Sequence, residues 1–401
     1  MRMPNAARAL LLACIVAASA AAAQDLKWPD VVARARGQSV SFNAWGGDDK
    51  TNAFIEWAAG EVRRRYSVEL VQVKLKDTAE AVTRVIAEKA AGRTTGGSVD
   101  LVWLNGPNFL ALKEKGLLFG PFTQALPAYA KVDTVSIPSN VVDFTIPVDG
   151  MASPWRRAQV VFIADGSRVA DPPRSAAALL AWARQHPGRL THPAVRNFLG
   201  ATFLKQALAE LARDPAVLQK PATDANFAAV TAPLWTWYDA LRPHLWRKGA
   251  QFPDTGPAQR QLMSDGEIDI MISFNPAEAA VAVQAGQLPP TVRTFTFARG
   301  TIGNTSFVAI PFNAAHKEGA MVVADFLLEP ATQARAQDIR TMGNFTVLDL
   351  ARLTPAERQR FADLPTSPAL PSAADLGTTL PEPHPSWMTR ITAEWERRYT
   401  R

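Results

Sequence analysis

Four side chains stand out for what they could hold: Trp45, Asn105, Trp155 and Asn275, each at the end of a predicted strand or at a predicted crossover. An indole supplies apolar contact area and an amide supplies a donor and an acceptor, the combination with which a cleft holds and orients a small molecule. Each also has a plainer use. A tryptophan in a chain that is 47% hydrophobic packs in a core, as Trp103 does in mid-strand, and an asparagine shapes a turn. Beside Trp45 stand Asn43, Gly46, Gly47 and Asp48. Asp48 and Asp49 precede a predicted helix, where a carboxylate caps free N–H groups and favours the dipole; the one not needed as a cap is available to a cationic ligand group. Gly46-Gly47 lets backbone N–H groups approach a ligand closely. Gly200-Ala201-Thr202, before a second predicted helix, serves either as its cap or as a contact for an anion or hydroxyl. Leu234, Tyr238, Leu241 and Leu245 step at i, i+4, i+7 and i+11, so the aromatic-rich helix around them reads as a core stripe ahead of a stacking platform.

Catalytic patterns are missing. There is no G-x-S-x-G elbow, no H-E-x-x-H, and no G-x-x-x-x-G-K or G-x-G-x-x-G loop, so no cofactor is implied. The five histidines, at 186, 192, 244, 316 and 384, show no ligand spacing. A hydrolase or lyase would need a placed acid and base; Asp265, Glu267 and Asp269 are close together, in a segment where turn and strand-edge roles suffice. The single cysteine, Cys14, excludes a disulfide within the chain.

The elements that must position the four residues follow from periodicity. Ser39 to Trp45 is a strand, 46–49 a turn, and Asn52 to Arg65 a helix with Phe54, Ala58 and Val62 at i, i+4, i+8. Val68 to Leu75 is a second strand. Asp77 to Glu80 has the form of a capping box ahead of a helix ending at Gly92. A third strand spans Val99 to Leu104, and Pro107 opens a short helix that Gly116 ends. This alternation predicts a parallel sheet covered on both faces, with ligands bound at the carboxyl ends of its strands. From Ser153 the pattern restarts: strands at 158–164, 189–192 and 268–274, and helices at 175–185, 202–211 and 234–247. Thr305 to Ile310 is again a strand and Gly319 to Leu328 a helix; after a proline-rich stretch, Trp387, Ile391 and Trp395 mark a closing helix that docks.

Residues 1–23 have the form of an export signal, with Arg2 and Arg8, an apolar core at 9–20 and Ala21-Ala22-Ala23 before Gln24. A lipoprotein signal at Cys14 would leave too short an apolar core. The 401-residue chain exceeds the roughly 250–300 residues that one core serves, which predicts two lobes. Cleavage removes two of the positive charges behind the net +6, and no basic run is longer than Arg63-Arg64-Arg65, so nothing points to nucleic acid.

The segments SVSFNAWGGDD (39–49), VDLVWLNGPNFLALKEKGLL (99–118), SPWRRAQVVFIAD (153–165), SDGEIDIMISFNPAEA (264–279) and IGNTSFVAIP (302–311) with VVADFLLEPATQARA (322–336) resemble, in order, the landmarks of type II extracellular solute-binding proteins, and of their YnjB-like group in particular. The likeness covers nearly the whole exported chain. It implies an α/β fold of two Rossmann-like lobes: lobe 1 from 24–152 and 298–345, lobe 2 from 153–297, a hinge near Pro147 to Trp155, and a C-terminal segment 346–401 packed on lobe 2. It further implies a monomer in the periplasm that takes a small-molecule solute to an inner-membrane ABC permease and its ATPase. By the same likeness Asn43 to Asp48, Asn105, Pro154-Trp155 and Phe274-Asn275 line the cleft. The paired tyrosines of the iron binders in the wider class have no evident counterpart among only four tyrosines.

Overall fold

The computed structural model describes residues 27–400; the export signal and its cleavage site lie outside the described residues. Helix α1 (Trp28–Ala35) leads into β1 (Ser39–Trp45), α2 (Asp49–Tyr66), β2 (Glu69–Leu75), α3 (Ala79–Ala90), β3 (Leu101–Leu104) and α4 (Pro107–Glu114). The two sides of this layer follow the strand alternation. Val40, Phe42 and Ala44 of β1 enter one core with Phe54, Ile55 and Ala58 of α2, while Leu75, Val102 and Leu104 face a second set formed by α3 and α4. The expected capping box ahead of α3 forms only in half: Glu80 accepts from Asp77 N, but Asp77 accepts from Ala79 N instead of Glu80 N, and Thr78 takes the cap position without a side-chain bond. Beyond α4 a small hairpin, β4 (Val142–Asp143) and β5 (Ile146–Pro147), brings the chain to the first crossing.

That crossing is a nearly continuous run, β6 (Ala152–Gln159) and β7 (Val161–Asp165), interrupted at Val160. The second lobe follows as α5 (Ala176–Gln185), α6 (Phe198–Leu211), α7 (Asp224–Leu241), α8 (Gly256–Ser264), β8 (Ile270–Ser273), α9 (Glu278–Gln284) and β9 (Val292–Phe295). Its sheet is three-stranded and antiparallel, in the order β8-β7-β9. The strand expected at 189–192 is only a single bridge, Leu190 to Ile270, because Pro193 has no N–H to extend the ladder. The helix expected at 234–247 is displaced. α7 begins ten residues earlier, at a capping box between Thr223 and Asn226, runs through Pro233, and gives way at Arg242 to 3-10 turns.

The chain returns through β10 (Thr301–Ala309), α10 (Lys317–Leu328) and α11 (Pro330–Gln337), then α12 (Pro355–Ala362), α13 (Ala373–Leu376), β11 (Thr379–Leu380) and α14 (Pro385–Tyr399). The large sheet has the order β11-β10-β3-β1-β2, with β6 on the free edge of β10. β1, β2 and β3 are parallel, but β10 runs antiparallel to both β3 and β6, so the sheet is mixed. β6 and β10 are the two strands by which the chain passes between lobes. Residues 346–401 divide between the lobes, where packing on lobe 2 alone was expected. Val347, Leu348, Leu353 and Phe361 complete the first core, and Trp387, Ile391 and Trp395 sit in the second. The short β11 pairs with Thr301 and Ile302, and Gln159 Nε2 donates to Leu376 O at 3.1 Å, so this tail straps the crossing strands.

Trp387 is fully buried, and its indole N–H donates to Lys220 O at 2.9 Å. Trp387→Ala is expected to lower the unfolding free energy by about 3–5 kcal/mol, as large core truncations do. Chemical denaturation checks it; a loss under about 1 kcal/mol would show that the tail is a loosely applied cover.

Candidate functional site

Trp45 ends β1, and the turn after it is shaped around its ring. A Cβ on Gly47 would stand 2.4 Å from Trp45 Cζ2, and one on Gly46 would stand 2.6 Å from Lys74 Cβ, so the indole folds over one glycine while the other presses on β2. Asp48 is the cap of α2: its carboxylate accepts from Thr51 N at 2.8 Å and from Thr51 Oγ1 at 2.7 Å. Asp49 is exposed in the first turn of α2.

At the end of β3, Asn105 donates through its amide to Thr305 O at 2.6 Å and to Asp143 Oδ1 at 3.2 Å. Gly106 N donates to the other oxygen of Asp143 at 2.5 Å. Burial pushes the Asp143 carboxyl up to about 7, against the pull of these donors. Gly106 has φ +56 and lies under the Phe144 ring, where a Cβ would approach Cζ to 2.8 Å; only glycine fits.

The second lobe answers with α6. Lys205 projects its ammonium over the Phe144 ring at 4.5 Å and the Phe198 ring at 4.9 Å, and Phe198 packs on Phe274 at 5.5 Å. Lys205 Nζ pairs with Glu382 at 2.6 Å, and the other Glu382 oxygen accepts from Asn304 Nδ2 at 3.0 Å. Lys205 and Glu382 are at most 1% exposed. Burial lowers the lysine and raises the glutamate from their ordinary values, while each holds the other's charge in place. Helix α6, crossing strand β10 and the C-terminal tail thus meet in one buried ion pair beside Phe144 of the first lobe.

The floor belongs to the crossing strands. Trp103 and Trp155 meet edge to face at 5.2 Å, and the Arg156 guanidinium lies 4.1 Å above the Trp103 ring. The segment above it touches both lobes. Lys50 of α2 donates to Arg340 O at 3.2 Å, Asn275 donates through Nδ2 to Met342 O at 2.9 Å, and Arg156 donates to Asn344 Oδ1 at 3.2 Å.

Residues 63–366 match the bacterial extracellular solute-binding protein family. The chain is 42% identical to Protein YnjB of Escherichia coli (strain K12) over 372 residues, 93% of this chain and 94% of that protein. The chain belongs to the bacterial extracellular solute-binding proteins. Among solved structures, the periplasmic binding protein AfuA from Actinobacillus pleuropneumoniae, with fructose-6-phosphate bound, superimposes with a TM-score of 0.64 at 14% identity, over 90% of this chain and 99% of that one. PotD from Streptococcus pneumoniae, a spermidine/putrescine transporter substrate-binding protein, gives 0.60 at 12% identity over 90% and 98%. Iron-bound HitA from Pseudomonas aeruginosa gives 0.60 at 15% over 90% and 98%. At such identities these likenesses establish the two-lobed α/β fold.

Within this solute-binding protein, Trp45, Gly46, Gly47, Asp48, Asn105 and Asn275 stand half-buried or exposed at the ends of strands, and three other expected residues are buried. Asn43 is fully buried in mid-strand, its amide near Ser41 O and Arg84. Thr202 is fully buried because α6 starts earlier, at an Asn197 cap, and its hydroxyl donates back to Phe198 O at 2.7 Å. Trp155 is 1% exposed, packed between Trp103 and Phe54, and forms the wall behind Arg156. Arg156, Lys205, Asp143 and Glu382 were not singled out from the sequence. Their signal was there: Arg156-Arg157 in an apolar strand and Lys205 in an apolar helix place charge where charge is rarely buried without a use. The acids weighed for catalysis have structural partners: Asp269 binds Arg189 and Arg168, Glu267 accepts from Trp246 Nε1, and Asp265 accepts from Gln261 Nε2.

Lys205→Met leaves Glu382 buried without its cation and is expected to cost about 3–5 kcal/mol of stability. Adding Glu382→Gln, which keeps an acceptor for Asn304, should recover a large part of that loss. A double-mutant denaturation cycle measures it; additive losses would contradict a pairing between the two charges.

Proposed function

We propose that the chain captures a small organic solute between its lobes in the periplasm and delivers it, as a monomer, to an ABC importer made of an inner-membrane permease and its ATPase. The lobes are taken as 24–152 with 298–345, and 153–297. The observation that carries this reading is the convergence of the edges at Trp45–Asp48, Asn105, Phe144, Phe198 and Asn275 on a floor made by two crossing strands, in a chain of the solute-binding family. A solute touched by both lobes favours the arrangement in which they close, because its full set of contacts exists only there. Among the described residues no three His, Cys, Asp or Glu side chains come together as a metal site, which favours an organic solute over a bare ion. The neighbours' own ligands, a sugar phosphate, polyamines and iron, differ too much to choose one.

Protein taken from the periplasm and denatured is expected to release a small molecule visible by mass spectrometry. Returned to the refolded protein, that compound should reduce the radius of gyration in small-angle scattering. Protein that releases nothing, and whose radius no periplasmic extract changes, would remove the capture reading.

A further inference from the structure

Arg156 lies at the middle of β6, where the chain passes from one lobe to the other. The ladder with β10 slips there: Arg156 pairs with Ser306 but Pro154 with Phe307, leaving Trp155 as the extra residue. A bulge re-aims its side chains, and here the guanidinium comes to lie by the rings of both Trp103, at 4.1 Å, and Trp155, at 5.2 Å. Arg156 is half-buried, and drawing even part of such a cation out of water carries a cost that an aromatic face, worth about 2 kcal/mol at most, offsets only in part. Elsewhere several enclosed cations are answered by carboxylates, Lys205 by Glu382, Arg260 by Glu278 and Arg189 by Asp269, while Arg157, next in the strand, has only Asp133 at longer range. Arg156 has none within salt-bridge distance among the described residues; Asp48 acts on it only from further away. Its one side-chain bond is to Asn344 Oδ1, and its Nε, shut off from solvent, has no acceptor. A guanidinium offers five N–H donors in a planar fork matched to carboxylate and phosphate oxygens, and most of this fork is unused. Asn344 belongs to the segment that Lys50 of the first lobe and Asn275 of the second both hold, so the fork lies on the interlobe floor.

We propose that Arg156 is the recognition group for an anionic solute, one that carries a carboxylate or a phosphate. This rests on the capture reading and narrows its ligand to a class. The anion replaces the missing carboxylate partner, and the Trp103 and Trp155 rings hold the guanidinium in plane to meet it. Burial pushes the Arg156 guanidinium down to about 10, with Asp48 acting the other way, so its charge is complete at neutral pH. Arg157, the next residue, has Asp133 as its nearest acid and supplies a control of equal charge change.

Thermal unfolding of the exported chain in sodium phosphate and in sodium acetate, each against sodium chloride at equal ionic strength and neutral pH, tests the assignment. A saturable rise in melting temperature is expected with at least one of the two anions, which also tells phosphate from carboxylate. It should persist in Arg157→Gln and vanish in Arg156→Gln, leaving only the unsaturable rise that excluded salts produce. Arg156→Lys, which keeps the charge without the fork, should fold if the glutamine variant does not, and should shift saturation to higher anion concentration. The compound released from periplasmic protein should be an anion, with affinity for Arg156→Gln reduced by more than about tenfold. An equal saturable rise in Arg156→Gln, unaltered saturation in Arg156→Lys, or no rise in the native chain overturns the assignment. A neutral or cationic released compound overturns it too, and leaves capture standing. Protein that releases nothing and does not contract counts against capture, and the anion titration then decides Arg156 by itself.

Discussion

A cation drawn out of water needs an anion or a set of acceptors, and two cations near the crossing strands, Lys205 fully buried and Arg156 half-buried, meet that need in opposite ways. Lys205 is closed in a pair with Glu382, and Glu382 in turn holds Asn304. The pair binds α6, β10 and the C-terminal tail to one another. Arg156 has an aromatic bed and one amide acceptor but no carboxylate. Buried ion pairs give little net stability against apolar replacements, so the closed pair is best understood as a device of position. It holds β10 to α6 and the tail, and β10 is the strand against which β6 and Arg156 are paired.

The tail has a part in this. In a two-lobed protein the crossing strands must flex, yet here β11 adds to β10 at Thr301 and Ile302, and Gln159 is bonded to both Thr301 and the backbone of Leu376. Each contact sits at the second-lobe end of the crossing strands. The first-lobe end, from Ala152 to Arg156, carries the bulge, and Trp155 there shares its core with Val347, Leu348 and Phe361 of the tail.

The first lobe was legible in the sequence because its signals are local: the helical spacing of Phe54, Ala58 and Val62, the bond from Asp77 N back to Glu80, and Pro107 opening a helix all recur in the structure. The second lobe was harder. Arg189 to His192 has strand-like residues but a ladder partner for only one of them, Leu190, and α7 runs through Pro233, a residue that ordinarily marks a boundary. For the site, residue type and strand end located the loops at Trp45, Asn105 and Asn275. Spacing could not show that Trp155 faces a core, since that depends on a bulge set by pairing with β10, more than 140 residues away. The same bulge hid Arg156. Lys205 and Glu382 lie 177 residues apart, and no local pattern joins them.

The central claim is that one solute is held by both lobes over the floor that carries Arg156. Backbone hydrogen exchange, followed by mass spectrometry with and without the compound released from periplasmic protein, reads this most directly. The account predicts slowed exchange together at 46–50 and 105–108 of the first lobe, at 274–277 of the second, and at 342–346 above the floor. Protection confined to one lobe, or found instead at the outer groove between α7 and α14 lined by Trp235 and Arg398, would contradict it.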